Sequence, residues 1–399
     1  MGYSPVPIEM IVLQGTPFCN LNCSYCDLSV TSRKQRTQMS MDMIERVFQS
    51  VFNDRLYAPK ISVVWHSGEP LTLSCEYYQA AIDRIIALRD ALVPGEVELE
   101  FDFQTNAVLI SDDWVKFFKA HQHHMRLGVS CDGPAELHDA FRNNWGGKPT
   151  HAKVVSGMQK LADSGIPFKI IAVVTDNTLR NPDGFFDFFL NWSDSLSGFH
   201  FNILADATLA SRQGLTYSRA DRDRYYRFYR HLLKRAREVV EAGMDFHIQN
   251  FTHALGRILD DTTDQVVESS RPLRTINVDA QGYVTTFYAG LEKSAFAGHY
   301  GDGAGLSLGN INEASLLQMA QSKKFGRILA DFERSQAQCR EDCDYYGLCS
   351  GGFELSKLNE HTDFEGGETA ECVIIVKTLA DAVLDDISAA AQLDEAVER

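Results

Sequence analysis

MIVLQGTPFCNLNCSYCDL, residues 10–28, joins a short apolar run to three cysteines on one loop. Residues 10–14 have the length and composition of a strand, and Cys19, Cys23 and Cys26 follow with C-x3-C-x2-C spacing. Three thiolates on one loop suit three irons of a cubane cluster and leave the fourth iron open to a small molecule. Four ligands would close the cluster and suit electron transfer. Zinc also wants four ligands, usually as paired C-x2-C knuckles, and no fourth cysteine or histidine lies close by in sequence.

Outward from this loop, apolar runs of strand length alternate with amphipathic stretches. The runs predict strands at 61–66, 97–104, 125–130, 168–174 and 198–203. Helices are predicted at 41–52, 77–92, 112–120, 152–164 and 182–191. Such alternation implies a parallel sheet with right-handed crossovers, and a curled sheet of six strands is a partial (β/α)6 barrel with its chemistry at the C-terminal strand ends. After residue 204 the pattern changes. A polar linker leads to a long charged helix at 219–242 and a second helix at 251–259. A hairpin is expected at 275–287 with Gln281–Gly282 at its turn, and a final helix runs to about 395. We divide the chain serially: 1–210 as the α/β partial barrel, 211–270 as a helical linker region, and 271–399 as a smaller α+β domain.

The chain of 399 residues carries 54 acidic and 38 basic side chains, a formal charge of −16, and 44% hydrophobic residues. That composition supports a full core, and the acidic surface disfavours nonspecific nucleic-acid binding. The N-terminus lacks a basic segment followed by an apolar run, and no apolar stretch reaches membrane-spanning length, so a cytoplasmic protein is expected. Of nine cysteines, seven fall into two groups near the chain ends, which in a reducing compartment read as metal ligands. Cys75 and Cys131 stand apart and read as small buried hydrophobes. His121, His123 and His124 read as solvated. The second group, CREDCDYYGLCSGG at 339–352 with TAEC at 369–372, offers Cys339, Cys343, Cys349 and Cys372. These four suit either a second [4Fe–4S] cluster or a structural zinc ion.

The cysteine loop together with WHSGEPL at 65–71 resembles the radical S-adenosylmethionine (SAM) superfamily. The resemblance implies that Cys19, Cys23 and Cys26 hold a [4Fe–4S] cluster whose open iron binds SAM. Reductive cleavage of SAM would then give a 5′-deoxyadenosyl radical that takes a hydrogen atom from substrate. By the same match Ser67, Gly68 and Glu69 would receive the SAM amino group, with Ser67 standing where the family has a glycine. FQTNAVLI at 103–110 and GVSCDGP at 128–134 place Gln104, Asn106 and Ser130 as further SAM contacts. Arg142, in HDAFRNN, resembles the arginine that pairs with the SAM carboxylate. Tyr25 would flank the adenine, Val173 packs near the adenine or reads as core, and Asp132 either faces substrate or shapes its turn.

The C-terminal group resembles the SPASM extension of radical SAM maturases, with three departures. The first spacing is x3, Phe353 stands where a cysteine is expected, and the hairpin NVDAQGYVTTFYAG has none. The resemblance therefore implies two clusters in all, one binding SAM and one auxiliary. LGNI at 308–311 and CREDCDYYGLC narrow the likeness to cyclophane-forming peptide maturases of the Grr type. That likeness implies a ribosomal precursor peptide as substrate, a flavodoxin- or ferredoxin-like electron donor, and a carbon–carbon crosslink to an aromatic ring. Thioether formation, oxidation to formylglycine, small-molecule oxidation and a non-catalytic scaffold stand as alternatives. With the cluster motif starting at residue 19, a leader peptide would need another surface, and the aromatic residues Tyr225, Tyr226, Phe228 and Tyr229 on the 219–242 helix offer one. Asp279, Tyr288 and Glu292 are placed near the active site by position alone as candidate bases.

Overall fold

The computed structural model describes residues 6–204, 219–259, 271–286, 296–352 and 354–397. Among these lie nine strands: β1 (Ile8–Leu13), β2 (Tyr57–Trp65), β3 (Glu98–Thr105), β4 (Met125–Ser130), β5 (Phe168–Val174), β6 (Leu196–Ile203), β7 (Thr275–Val278), β8 (Tyr283–Thr285) and β9 (Gly309–Asn310). The chain forms two compact units that are interleaved in sequence. One comprises 1–130, 142–166 and 268–334, and the other 131–141, 167–267 and 335–399. The serial division made from sequence does not anticipate this interleaving. No helix among the described residues is long and apolar enough to cross a membrane.

In the first unit β1 to β4 pair in parallel, and β7 lies on the other side of β1, Met10 opposite Thr275 and Leu13 opposite Val278. The order β4-β3-β2-β1-β7-β8-β9 is that of an open sheet. The hairpin expected in a separate C-terminal domain thus continues the parallel sheet, because the unpaired edge of β1 needs a backbone partner. Side chains alternate as strand geometry requires. On β3, Leu99, Phe101, Phe103 and Thr105 are buried while Glu100, Asp102 and Gln104 face the more open side. Serine caps start the covering helices: Ser40 before Met41–Asn53, Ser74 before Cys75–Leu92 and Ser111 before Asp112–His121. An aromatic cluster fills the space between sheet and helices. Tyr78 meets Phe103 edge-on at 4.8 Å and Trp65 at 5.0 Å, and Trp114 stacks on Phe118 at 5.4 Å. Each ring gains about 2–3 kcal/mol from burial. His121 belongs to this packing, 4.7 Å from Phe117, with Nε2 2.8 Å from Gln79 Oε1. It is buried, contrary to the solvated reading, because the helix turns it toward the core.

In the second unit β5 and β6 pair in parallel with Ile170 opposite Phe199. Helix Arg222–Glu241 buries Tyr225, Phe228 and Tyr229, and Tyr229 stacks on Phe201 at 5.9 Å. Its aromatic stripe is core, leaving only Tyr226 of the four outside. Val173 stands on the half-exposed side of β5, so its reading as core is corrected by the strand's alternation. A π-helical stretch, Val373–Thr378, precedes helix Leu379–Val397.

Candidate active site

The cysteine loop leaves β1 at its C-terminal end and is braced from two sides. Asn22 N donates to Asn143 O (2.7 Å) and Trp145 Nε1 to Cys19 O (2.8 Å), while Cys19 N donates to Arg33 O (3.1 Å). The Cys19 sulfur accepts from Leu21 N at 3.4 Å and faces Asn106 Nδ2 at 3.9 Å. Burial pushes the Cys19 and Cys26 thiols well up, and the Glu69 charge adds to the effect at Cys19. Arg33 and Arg142 work against it at Cys26. Half-buried sulfurs approached by N–H groups and guanidinium ions suit thiolates whose charge is met by iron.

The turn after β2 meets this loop at backbone level. Gly68 adopts φ +97°, and a Cβ there would stand 2.2 Å from Thr16 O. Only glycine permits that approach. Glu69 N donates to Phe18 O (2.8 Å). Ser67, at φ +66°, holds a left-handed conformation that costs a non-glycine residue about 1 kcal/mol or more. The Glu69 carboxylate is buried and ties two strand ends together. Oε1 accepts from Leu71 N (3.0 Å) and Thr105 Oγ1 (2.6 Å), and Oε2 from Asn106 N (2.8 Å). Burial pushes its pKa up to about 7 against those hydrogen bonds.

Asn106 Nδ2 reaches Asn20 Oδ1 on the cysteine loop (2.8 Å), and Gln104 Nε2 donates to Ser130 Oγ (2.9 Å). Gly128 leaves room for Gln104, whose Oε1 would lie 2.0 Å from a Cβ there. The Arg142 guanidinium is buried 5.3 Å from the centre of the Tyr25 ring. The first unit therefore contains Cys19, Cys23, Cys26, Ser67, Gly68, Glu69, Gln104, Asn106, Ser130 and Arg142. Asp132 lies in the second unit, buried, its Oδ1 accepting from Val173 N on β5 at 2.9 Å. Asp279 spends Oδ1 on Gln281 N and Tyr283 N, which fixes the hairpin turn. Tyr288 and Glu292 lie outside the described residues. Cys131 is buried and donates to Gly133 O, and Cys75 opens a helix half-buried, its thiol pushed up to about 11 chiefly by burial.

Two residues that bear on this loop escaped the sequence reading. Arg33 is buried with Nε on Leu28 O (3.1 Å) and Nη1 without a partner, and it lies over the Trp145 ring at 5.4 Å. Within SRKQR nothing marks it apart from its basic neighbours, and Trp145 stands over a hundred residues away from Cys19.

The second cysteine group is built in the second unit. Cys339 ends helix Lys323–Asp342 and Cys343 N donates to Cys339 O, so the x3 spacing is one helical turn that puts both sulfurs on one side. Cys349 closes helix Tyr346–Cys349, followed by Ser350 and Gly351 at positive φ. A Cβ on Gly351 would approach Gln336 Cα to 3.0 Å and Cys339 Cβ to 3.1 Å. Cys372 Sγ accepts from Thr369 N at 3.3 Å, and Thr369 Oγ1 caps Cys372 N in return. Burial pushes the Cys349 thiol up to about 11 and raises Cys372 as well. All four cysteines line one cavity of about 290 Å³. A zinc ion needs its four sulfurs closed to about 2.3 Å around one point. A [4Fe–4S] cluster takes more room, and four cysteines around a cavity of this size can hold one.

Comparison with known proteins fits this geometry. The Radical SAM superfamily model matches residues 13–189, the stretch that carries the cysteine loop, the Ser67–Glu69 turn and Arg142. The chain belongs to the radical SAM superfamily. This radical SAM chain is 30% identical to the uncharacterized protein sll1766 of Synechocystis sp., over 95% of the chain and 92% of that protein. It is 24% identical to the cysteine-type anaerobic sulfatase-maturating enzyme of Clostridium perfringens strain 13, over 90% of the chain and 92% of the enzyme. The solved structure of native anSMEcpe with bound AdoMet and Cp18Cys peptide superposes with a TM-score of 0.74 at 20% identity, covering 97% of this chain and 99% of that one. The radical SAM chain is thus an enzyme whose cofactors are SAM and [4Fe–4S] clusters.

Proposed function

We propose that this radical SAM enzyme oxidises a side-chain β-carbon in a peptide. The observation that carries the reading is the gathering of the three-cysteine loop, the Ser67–Glu69 turn and the buried Arg142 in one unit. Cys19, Cys23 and Cys26 would hold the cluster. The carbonyls of Ser67 and Gly68, with Glu69, would receive the SAM ammonium, and Arg142 its carboxylate. Cluster and SAM together supply a 5′-deoxyadenosyl radical that removes hydrogen from substrate. Gln104, Asn106 and Ser130 would orient the cosubstrate. Cys339, Cys343, Cys349 and Cys372 would hold one auxiliary cluster that takes up the electron left after coupling. A reduced flavodoxin or ferredoxin is the donor we assign.

The peptide substrate is supported by the sulfatase-maturating relative and by the peptide-bound structure with the same fold. Two products follow from one β-carbon radical. Formylglycine is supported by that relative's activity, and a carbon–carbon crosslink to an aromatic ring by the single four-cysteine group and LGNI at 308–311. The test is anaerobic turnover with SAM, reductant and a β-deuterated peptide encoded beside the gene. Deuterium in 5′-deoxyadenosine is the expected result. A hydrazide-reactive product identifies formylglycine, and loss of two hydrogens with a hydrolysis-resistant bridge identifies the crosslink. SAM cleavage with no deuterium transferred from any β-position overturns the reading.

A further inference from the structure

Beside the four-cysteine cavity stands a lysine with almost no exposure. Lys357 is 2% exposed and lines the cavity. Its ammonium has three hydrogens to give. They go to Ser335 Oγ (2.7 Å), Ser335 O (3.1 Å) and Cys339 Sγ (3.1 Å). Burying an ammonium costs several kcal/mol unless an opposite charge meets it. Both serine oxygens are neutral, so the sulfur is the hydrogen-bonded group able to carry that charge, as it does when it is a metal-ligating thiolate. Glu354, one turn earlier, attracts Lys357, but burial pushes its pKa up to about 7 and Oε1 has no partner. Lys377 also lines the cavity, yet it is ion-paired with Glu368 at 2.8 Å and partly exposed. Its charge is already answered and partly screened by water.

We propose that Lys357 is the charge-compensating residue of the auxiliary site, raising the reduction potential of the cluster bound there through its contact with Cys339. The inference rests on the reading that this site holds an iron–sulfur cluster. Reduction adds one electron, and so one negative charge, to an assembly that four thiolates already make anionic. A fixed buried cation stabilises the reduced form more than the oxidised form. Ser335 positions the ammonium: its own Oγ also donates to Gly351 O (3.3 Å), next to Cys349.

The experiment is an EPR-monitored redox titration of the full-length holoenzyme with dithionite, following the cluster signal that does not respond to added SAM. Iron, sulfide and zinc are counted per chain in each variant. Lys357→Met and Lys357→Gln are expected to disfavour reduction at least tenfold, a shift of ~59 mV to more negative potential for a one-electron couple. Lys357→Arg is expected to stay within threefold of the parent, and Lys377→Met to move less than either neutral Lys357 variant. If neither neutral variant loads the second cluster while Lys357→Arg does, the requirement for charge is likewise supported. If Lys357→Arg fails to load along with them, the site needs the amine's shape and the proposal falls. A loaded Lys357→Gln with an unmoved potential overturns the lysine's role and leaves the cluster reading intact. Zinc, or no second cluster, in the parent protein overturns both.

Discussion

The two cysteine sites bury sulfur in different ways. At the N-terminal site three cysteines sit on one loop, and positive charge comes from Arg33 and Arg142 acting on Cys26. At the C-terminal site the four cysteines come from helix ends, a capped turn and a glycine-rich corner, and a buried ammonium touches one sulfur directly. Both hold a buried carboxyl with a pKa near 7, but Glu69 accepts three hydrogen bonds while Glu354 keeps an oxygen without a partner. The first site is built on one loop and the backbone turn that meets it. The second gathers its sulfurs around a cavity, where a buried side-chain cation meets one of them. We read the first as the place of chemistry and the second as a store for an electron.

The largest effect should separate the sites by activity. Cys23→Ala is expected to abolish 5′-deoxyadenosine formation, at least ~10³-fold, because the loss of a ligand removes the radical source. Cys343→Ala should leave SAM cleavage measurable, stop product formation, and lower the melting temperature through loss of a metal staple. Equal loss of SAM cleavage in both variants would break the comparison. Next comes Gly68→Ala. A Cβ 2.2 Å from Thr16 O at a positive φ should cost about 3 kcal/mol or more in denaturant unfolding and loosen the cysteine loop.

The pH dependence of Glu69 sharpens the contrast further. Its folded pKa, about 7, lies above the ordinary 4.5, so the neutral carboxyl is the form the fold prefers. That contribution is complete below pH 4.5 and is lost as pH rises through about 7. Unfolding of the parent and of Glu69→Gln, compared across this window, should show the parent losing up to about 3 kcal/mol relative to the variant. A flat difference would show that the buried carboxyl is ionised throughout. The smallest effect is expected at Ser67→Gly, a net gain of about 1 kcal/mol or less, because glycine's own conformational entropy offsets part of the relieved left-handed backbone, read by chemical denaturation.

Much of this was legible in residues 10–28 and 61–71, because strand alternation and ligand spacing are local signals. β4 and β5 fall where periodicity puts them, and helices 41–53 and 112–121 begin at serine caps that the sequence displays. What stayed hidden is long-range. Nothing local says that β7 pairs with β1, since either edge of a short apolar strand looks the same in sequence. Nothing local in the sequence sets Arg33 or Lys357 apart from the other basic residues, and only packing buries them. The x3 spacing of Cys339 and Cys343 departs from the motif, and only the helix shows that it is one turn. Asp279 is placed by position alone, and its Oδ1 contacts with Gln281 N and Tyr283 N appear only in the folded hairpin. The π-helical step at Val373–Thr378 left no mark that alternation or capping would show.

The central claim is that Cys19, Cys23 and Cys26 leave one iron free for SAM. It is tested most directly by adding SAM to a dithionite-reduced Cys343→Ala enzyme whose remaining cluster is observed by EPR. The account predicts a changed signal on SAM binding and release of 5′-deoxyadenosine. An unchanged signal from a fully loaded cluster, with SAM recovered intact, would contradict it.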